Sequence, residues 1–583
     1  MYYFTRESPE IMKVLEIAME IALPPEILDT VAKRYGFRAA REVAMSTSVG
    51  GIGPLLRERI VAQAHQEIDV IGVSLLYHST WIQSWFDWGQ LHLEKREVAS
   101  YLRDVLQDSK ITLKLPLFDD SVVDVRVWHT DFGKGRVYYL DIPTINQVVY
   151  PSAEDAPAKQ ADPNAWGDNL RNRQSWVVGR GALALAKILN FSPDIIVLSE
   201  TPTLFGHPRL VKDEYAQDAF FAQARVIFND HTPLEYAHPI WSRETLHTLK
   251  LDATHYVPPA GVSAHGPVDI TRLLIGDVEG VFGVAKKHGD VMRAMPSLKD
   301  YAKKIDSITN GVYTPYWQAP ELKEAAHLSD QELLGRKDTL KNDLLDWVWR
   351  HFGLWHTWKE QVTGRPLVLW TRRITGYKRL DLLGAILRDA GLQKRFLDTG
   401  VVMLIGGRIH QHDDQAQGMI YDLLDRLSTN ERLRDRIVFL DNFNVWMAPR
   451  LFHGADAAVM LADDGREASA TGFMKAQLNG DLIIATEDGA IPESVIFAGQ
   501  EKAGATANGF NVPYVGPYPT AEGLVNALAA LSTVMKDPAR RATMVRAAFA
   551  VEEQVSVDRT TQEMIKFYQG LQKTPTSGVS HQN

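Results

Sequence analysis

Short apolar runs alternate with amphipathic segments along most of the chain. The runs DVIGVSLLY (69–77), DIIVLSE (194–200), ARVIFNDH (224–231), PLVLWTRR (366–373), VVMLIGG (401–407), RIVFLDN (436–442), AAVMLA (457–462) and DLIIATEDG (481–489) have the length and continuous apolar character of strands buried on both faces. Helical periodicity follows most of them, as in QAQGMIYDLLDRL behind the strand at 401. This alternation predicts an α/β architecture with parallel sheets. Ligands in such sheets bind beyond the carboxyl ends of the strands, so the polar residues that end the runs are site candidates: Glu200, His231, Arg373, Gly407, Asn442 and Asp488.

From about 311 to 365 the pattern changes to polar, Trp-rich helices, and a fresh strand opens at 366. We expect two Rossmann-like domains facing each other across a cleft, with residues 1–330 in the first, 331–572 in the second and a short polar, disordered tail at 573–583. A length of 583 residues exceeds what one hydrophobic core supports.

Composition removes several functional classes. A net charge of -9 without long like-charge blocks leaves no electrostatic footprint for nucleic acid. Zero cysteines exclude disulfides, thiolate metal sites and a cysteine nucleophile, and suit a reducing compartment. The opening stretch carries acidic residues within its apolar pattern, unlike a signal peptide, and no run approaches the ~20 apolar residues that span a bilayer. A cytoplasmic protein with neither a membrane nor a nucleic-acid partner, and no metal site, is expected.

Four segments carry chemistry. In STSVGGIGPLL (46–56), Gly50, Gly51 and Gly53 precede a helix-compatible run, a setting in which backbone amides meet an anion, although such a turn is more often only a turn. In WTRRITGYKRL (370–380), Arg373 and Lys378 follow a buried strand and point to anion binding, whereas Arg379 reads as a solvated helix start. In NDHTPLEY (229–236), His231 ends a strand, where a packed role is as common as a functional one. In EASATGFMKAQLNG (467–480), Thr471 and Gly472 could cap a helix that carries Lys475. An ammonium near the positive end of a helix is unfavourable, and Schiff-base formation with an aldehyde cofactor would remove that charge; alone, the segment would read as an exposed helix with a surface lysine.

Together these segments resemble the α-glucan phosphorylase family, closest to its short bacterial and archaeal branch, in unchanged order from about residue 45 to 495. EASATGFMKAQLNG is similar to the motif holding the cofactor lysine, and GVSLLYHSTWIQSWFDWGQ, ITNGVYTPYWQAPE and APRLFHGADAAVML add to the likeness. The resemblance implies a GT-B glycosyltransferase fold and pyridoxal 5'-phosphate on Lys475. Its phosphate would be held by Thr471, Gly472 and Lys378 with Arg372 close by. Arg373, Lys378 and the Gly50–Gly51 loop would hold substrate phosphate, and Glu467 and Ser469 the sugar hydroxyls. His231 would approach the sugar near its 6-hydroxyl or anomeric bond, with Tyr377 and Glu200 nearby. The implied reaction is reversible phosphorolysis of an α-glucan or oligosaccharide by inorganic phosphate to a hexose 1-phosphate, with retention and without a carboxylate pair. A homodimer is implied as well.

Departures from the family pattern bear on the substrate. Phe282 stands in VFGVAKKH where the family has an asparagine in VNGVAKLH, which would change the fit of the sugar. Ala470 replaces the glycine that usually follows the motif serine, and Phe443-Asn444 stands where many relatives have Tyr-Arg. Two other readings remain: a retaining transferase with a nucleotide sugar on Arg373 and Lys378, and a catalytically degenerate relative that binds glycan through the cleft, where Trp81, Trp85 and Trp88 would suit sugar stacking.

Overall fold

The computed structural model describes residues 11–86, 90–151, 170–234, 237–410, 413–502 and 504–573. The end of the chain, from 574, and Trp88 therefore lie outside the described residues.

Two separate sheets organise the chain. The first has nine strands, in spatial order Ile305–Ser307, Gly280–Gly283, Arg225–Asn229, Ile195–Ser199, Lys13–Ile17, Asp69–Leu75, Gly135–Asp141, Val122–Phe132 and Gln107–Pro116. It is parallel up to Gly135–Asp141, and its last two strands run antiparallel as a meander. The second has six parallel strands in the order Ile437–Leu440, Val402–Gly406, Leu367–Thr371, Ala457–Met460, Leu482–Ala485, Gly509–Asn511. By position in sequence that order is 3-2-1-4-5-6, the doubly wound arrangement whose ligand crevice opens between its first and fourth strands. Leu367–Thr371 and Ala457–Met460 are those two strands. The segments 372–378 and 467–475 follow them, so the fold brings the two most basic and most motif-like stretches together.

The expectation of two Rossmann-like domains across a cleft is borne out. Each predicted strand in the list above is present, trimmed by a few residues. The strand Lys13–Ile17, the meander, Gly280–Gly283, Ile305–Ser307 and Gly509–Asn511 were not anticipated, because each is either very short or interrupted by polar residues and so lacks the continuous apolar run that marks a strand buried on both faces. Among the described residues no helix is long and apolar enough to cross a membrane.

The domains are tied together by the hairpin Ser79–Phe86 and Gln90–Glu97. Gln83 of the hairpin donates from its backbone N–H to Asn442 Oδ1 at 2.6 Å, and Asn442 Nδ2 returns a bond to the Gln83 carbonyl at 2.7 Å. The Gln83 side chain donates to the Gly407 carbonyl at 3.0 Å and accepts from Ile409 N at 2.6 Å. Gly407 and Asn442 thus serve the interdomain clasp, which corrects their reading as ligand positions. Gly407 is obligatory for a steric reason: a Cβ there would lie 2.0 Å from the Arg372 carbonyl oxygen. The helix Val557–Lys573 returns to the first domain, and its Phe567 meets Phe282 edge to face, with ring centroids 5.7 Å apart.

Ala470 has φ 67°, in the left-handed region where a Cβ costs about 1 kcal/mol or more. Ala470→Gly is expected to raise the unfolding free energy by about 0.5–1 kcal/mol, read as a higher denaturant midpoint with unchanged slope.

Candidate active site

Lys475 lies on the short helix Gly472–Gln477 and is only 8% exposed. Its ammonium sits 4.0 Å from the centre of the Trp317 ring and makes no hydrogen bond among the described residues. Burial pushes its pKa down to about 8; Glu58 nearby opposes that shift and Arg57 adds to it. Trp317 is fixed in turn, since its indole N–H donates to Glu58 Oε1 at 2.8 Å, and Arg57 donates to the same oxygen at 2.9 Å. The lysine is therefore a desolvated amine held against an aromatic face, not a surface cation.

Glu467 is the electrostatic hub of the second domain. Its Oε2 accepts from Lys378 Nζ at 2.6 Å and from the Arg372 guanidinium, which also donates to the Leu461 carbonyl at 2.6 Å. Burial alone would raise the Glu467 carboxyl, but Lys378 and Arg372 overcome it and hold the pKa at about 2. Arg373 is exposed at the end of the same turn, with Nη2 3.4 Å from the Tyr377 hydroxyl, and Lys378 Nζ lies 4.9 Å from the centre of the Tyr377 ring. Burial raises the Tyr377 phenol, but Lys378 and Arg373 bring its pKa below the ordinary value. Asp488, also on the candidate list, holds the loop in place by accepting the backbone N–H groups of Arg466 (3.0 Å) and Glu467 (2.9 Å).

The glycine loop of the first domain faces this constellation. A Cβ built on Gly51 would stand 3.8 Å from Thr471 Oγ1, while one on Gly50 would meet nothing within 4 Å. Thr471 occupies the cap position before Gly472, but in helical geometry (φ -48°, ψ -12°) and with no side-chain capping bond, which corrects its reading as an N-cap. Its hydroxyl is free of that duty, and the buried Ser469 Oγ has no partner among the described residues. The loop is braced by Glu20, which accepts from Val49 N at 2.6 Å and from the Tyr150 hydroxyl at 3.2 Å. Behind it, Arg59 donates to Asn229 (2.7 Å) and Ser199 (3.2 Å), pinning the helix Ile52–His65 to the ends of two strands.

His231 and Glu200 belong to a cluster at the carboxyl ends of Ile195–Ser199 and Arg225–Asn229. Burial, with Arg59 adding to it, pushes the His231 pKa to about 3, so the ring is neutral, and its Nε2 is buried without a partner among the described residues. Burial followed by the neighbouring Asp230 raises the pKa of the Glu200 carboxyl well above its ordinary value. Glu200 accepts from the Thr232 hydroxyl at 2.7 Å and has φ 70° and ψ 155°, a conformation costly for any residue with a Cβ. Asp230 lies 3.6 Å from both His238 Nε2 and His288 Nε2. His288 Nδ1 accepts from Val284 N at 3.1 Å, which assigns its proton to Nε2, on the Asp230 side.

Phe282 does not join the site. It is 2% exposed and packs in the core against Phe567, so the expectation that its ring reshapes the sugar pocket is corrected. Arg379 is no solvated helix start either, since it pairs with Asp381 and Asp463, each at 3.0 Å. Sequence reasoning missed Trp317, Glu20, Glu58 and Asp230. Trp317 stands in the quoted ITNGVYTPYWQAPE, but nothing in its spacing distinguishes it from the other tryptophans nearby.

Lys287, from the first domain, crosses to the second: Nζ reaches Asp464 at 2.6 Å, the Glu487 carbonyl at 2.8 Å and Asp488 at 3.0 Å. Since Asp488 positions Glu467, Lys287→Gln is expected to cost about 1–3 kcal/mol of stability and to widen the cleft, read as a lower melting temperature and a larger radius of gyration in solution scattering.

Comparison with known proteins accords with this geometry. Residues 368–511 match the carbohydrate phosphorylase family, and residues 37–277 match the starch synthase catalytic domain. The chain is 22% identical to a maltodextrin phosphorylase of Thermococcus litoralis over 500 residues, covering 76% of this chain and 58% of that one. A glycogen phosphorylase of Mycobacterium tuberculosis H37Rv is 23% identical over 528 residues, again with 76% and 58% covered. An uncharacterised Methanocaldococcus jannaschii protein is 26% identical over 459 residues, covering 76% and 82%. The chain thus spans a little over half the length of the curated phosphorylases it matches. Among solved structures, the catalytic domain of starch synthase IV from Arabidopsis thaliana, bound to ADP and acarbose, superimposes with a TM-score of 0.69 at 19% identity, covering 97% of this chain and all of that one. The resemblance read from the motifs, to the α-glucan phosphorylases, is borne out, and the fold is that of the two-domain glycosyltransferases.

Proposed function

We propose that this relative of the carbohydrate phosphorylases is a retaining glycosyltransferase that phosphorolyses an α-1,4-glucan or oligosaccharide to a hexose 1-phosphate, with pyridoxal 5'-phosphate on Lys475. The observation that carries the reading is the amine of Lys475, buried, unpaired among the described residues and shifted down to about 8. Leaving a cation so placed is costly, and an imine with an aldehyde relieves the cost. The uncapped Thr471 hydroxyl is a donor a phosphorylated cofactor would use beside it, while the open Gly50–Gly51 loop is left for the substrate phosphate and the Ser469 hydroxyl, without a partner among the described residues, for the sugar.

When bound, the cofactor supplies a phosphate that exchanges a proton with the substrate phosphate. The chain's own residues hold the two anions together. Lys378, Arg372 and Arg373 offset their repulsion, and Glu467 keeps Lys378 and Arg372 in fixed positions. The glycosidic C–O bond breaks as its oxygen takes a proton from the substrate phosphate, and a phosphate oxygen then bonds the anomeric carbon on the same face. His231, neutral at all working pH values, hydrogen-bonds the sugar without adding charge to a cationic transition state. Glu200, whose carboxyl is shifted toward the protonated form by burial and Asp230, adds a hydrogen-bonding group beside it without adding charge.

A second reading is supported by the starch synthase match over 37–277: a nucleotide sugar whose diphosphate lies on Arg373 and Lys378. Incubating the cofactor-supplemented protein with maltoheptaose and inorganic phosphate separates the two. Release of hexose 1-phosphate supports phosphorolysis, whereas glucan extension from ADP-glucose, with no phosphorolysis, supports the second reading.

A further inference from the structure

Lys475 belongs to the second domain, but the ring it rests on is gripped by the first. We propose that Glu58 is a positioning residue for Lys475, acting through the Trp317 indole and so tying the cofactor lysine to the helix that carries the glycine loop. The proposal deepens the cofactor reading above and rests on it for its catalytic consequence.

The contacts that join the two residues are buried throughout. Glu58, Arg57 and Trp317 are 1%, 3% and 1% exposed. Both oxygens of Glu58 are committed: Oε1 accepts from the Trp317 indole N–H at 2.8 Å and from Arg57 at 2.9 Å, and Oε2 accepts from Tyr313 N at 2.8 Å. Arg57 is fixed in turn by the Leu23 carbonyl at 3.2 Å and by the Tyr316 ring, whose centre lies 4.2 Å from the guanidinium. On the far side of Trp317, Asn479 Nδ2 donates to the Trp317 carbonyl at 2.8 Å and to the Lys475 carbonyl at 2.9 Å, which fixes the ring against the lysine helix.

The consequence is electrostatic. An indole N–H donated to a carboxylate polarises the ring and makes its face more negative. The Lys475 ammonium, 4.0 Å from the ring centre, is held by that face. A buried pair such as Arg57–Glu58 adds little net stability; what it supplies here is a fixed negative charge behind the ring. Glu58 and Arg57 are the charges that act on the amine, with opposite signs, while His453, lowered by burial to about 4, stands neutral beside the Trp317 backbone. Glu58 lies about two turns into the helix Ile52–His65, whose first turn follows Gly51. An anion that displaces the glycine loop therefore also moves the carboxylate that grips the ring over the amine.

The test reads the amine itself. Trace acetylation of the cofactor-free full chain by acetic anhydride across pH, with the Lys475 peptide quantified by mass spectrometry, is expected to give a midpoint near 8. Glu58→Gln removes the charge that favours the ammonium and leaves Arg57, so the midpoint is expected to fall and acetylation at pH 7 to rise about fivefold. Trp317→Phe leaves the Arg57–Glu58 pair in place, which guards against misfolding of the first variant, and its weaker ring is expected to raise acetylation at pH 7 about threefold. With Trp317→Phe already present, Glu58→Gln is expected to add less than about twofold. An unchanged midpoint in either single variant, or an undiminished effect of Glu58→Gln without the indole, overturns the proposal. Shifted midpoints with no attachment of pyridoxal 5'-phosphate to Lys475 would remove the cofactor reading and keep the Glu58 role; attachment with unshifted midpoints would do the reverse.

Discussion

Lys475→Met is expected to abolish cofactor uptake and to lower phosphorolysis by at least ~10³-fold, because the only proposed anchor for the aldehyde is gone. The same substitution is expected to stabilise the cofactor-free protein. The folded pKa of about 8 lies below the 10.5 of an unperturbed lysine, so between those values the unfolded chain holds a proton that the folded chain has released. Stability of the natural protein from this group therefore rises with pH from about 8 to 10.5, and below 8 the buried charge is a penalty. An apolar side chain of similar size removes that penalty. A gain of about 1–3 kcal/mol at pH 7, vanishing toward pH 10.5, is the expected result in denaturant titrations. A structural lysine on an exposed face would give neither the gain nor its pH dependence.

Glu467→Gln is the second large effect. The carboxylate neutralises Lys378 and Arg372 together, and an amide leaves both cations buried without a counter-charge. A loss of about 3 kcal/mol is expected, together with a fall in turnover of about 10²-fold as the anion-holding cations lose their positions. The folded pKa of Glu467, about 2, lies below its unfolded value of 4.5, so its contribution is fully present above 4.5 and is lost as pH falls toward 2. Acid unfolding of the natural protein should be steeper in that window than that of the variant. Equal steepness would mean that the Glu467 cluster is not formed in solution.

How much of this was legible in the sequence depends on whether a signal is local. Five of the six strands of the second sheet are continuous apolar runs, Gly509–Asn511 being the exception, and the basic turn 372–378 and the lysine segment 467–475 follow the two strands that flank the crevice, so sequence pattern and topology agree there. The burial of Lys475 was legible only as a puzzle, because its partner Trp317 lies 158 residues earlier in a segment whose aromatic spacing reads as helix packing. Phe282 was misread for the opposite reason. A departure from a family pattern marks a changed environment but not which one, and here a phenylalanine from the returning helix fills the space beside the ring. Gly407 and Asn442 end strands as ligand residues do, yet the hairpin that claims them is set by long-range contacts with Gln83 that no local pattern encodes.

The central claim is that the Lys475 amine is the attachment point of an aldehyde cofactor. Borohydride reduction of the cofactor-supplemented protein, followed by peptide mapping, tests it most directly. The account predicts a pyridoxyl adduct on the peptide containing Lys475, formed in stoichiometric amount and absent from Lys475→Met. Recovery of that peptide unmodified, with no bound chromophore before reduction, would contradict it.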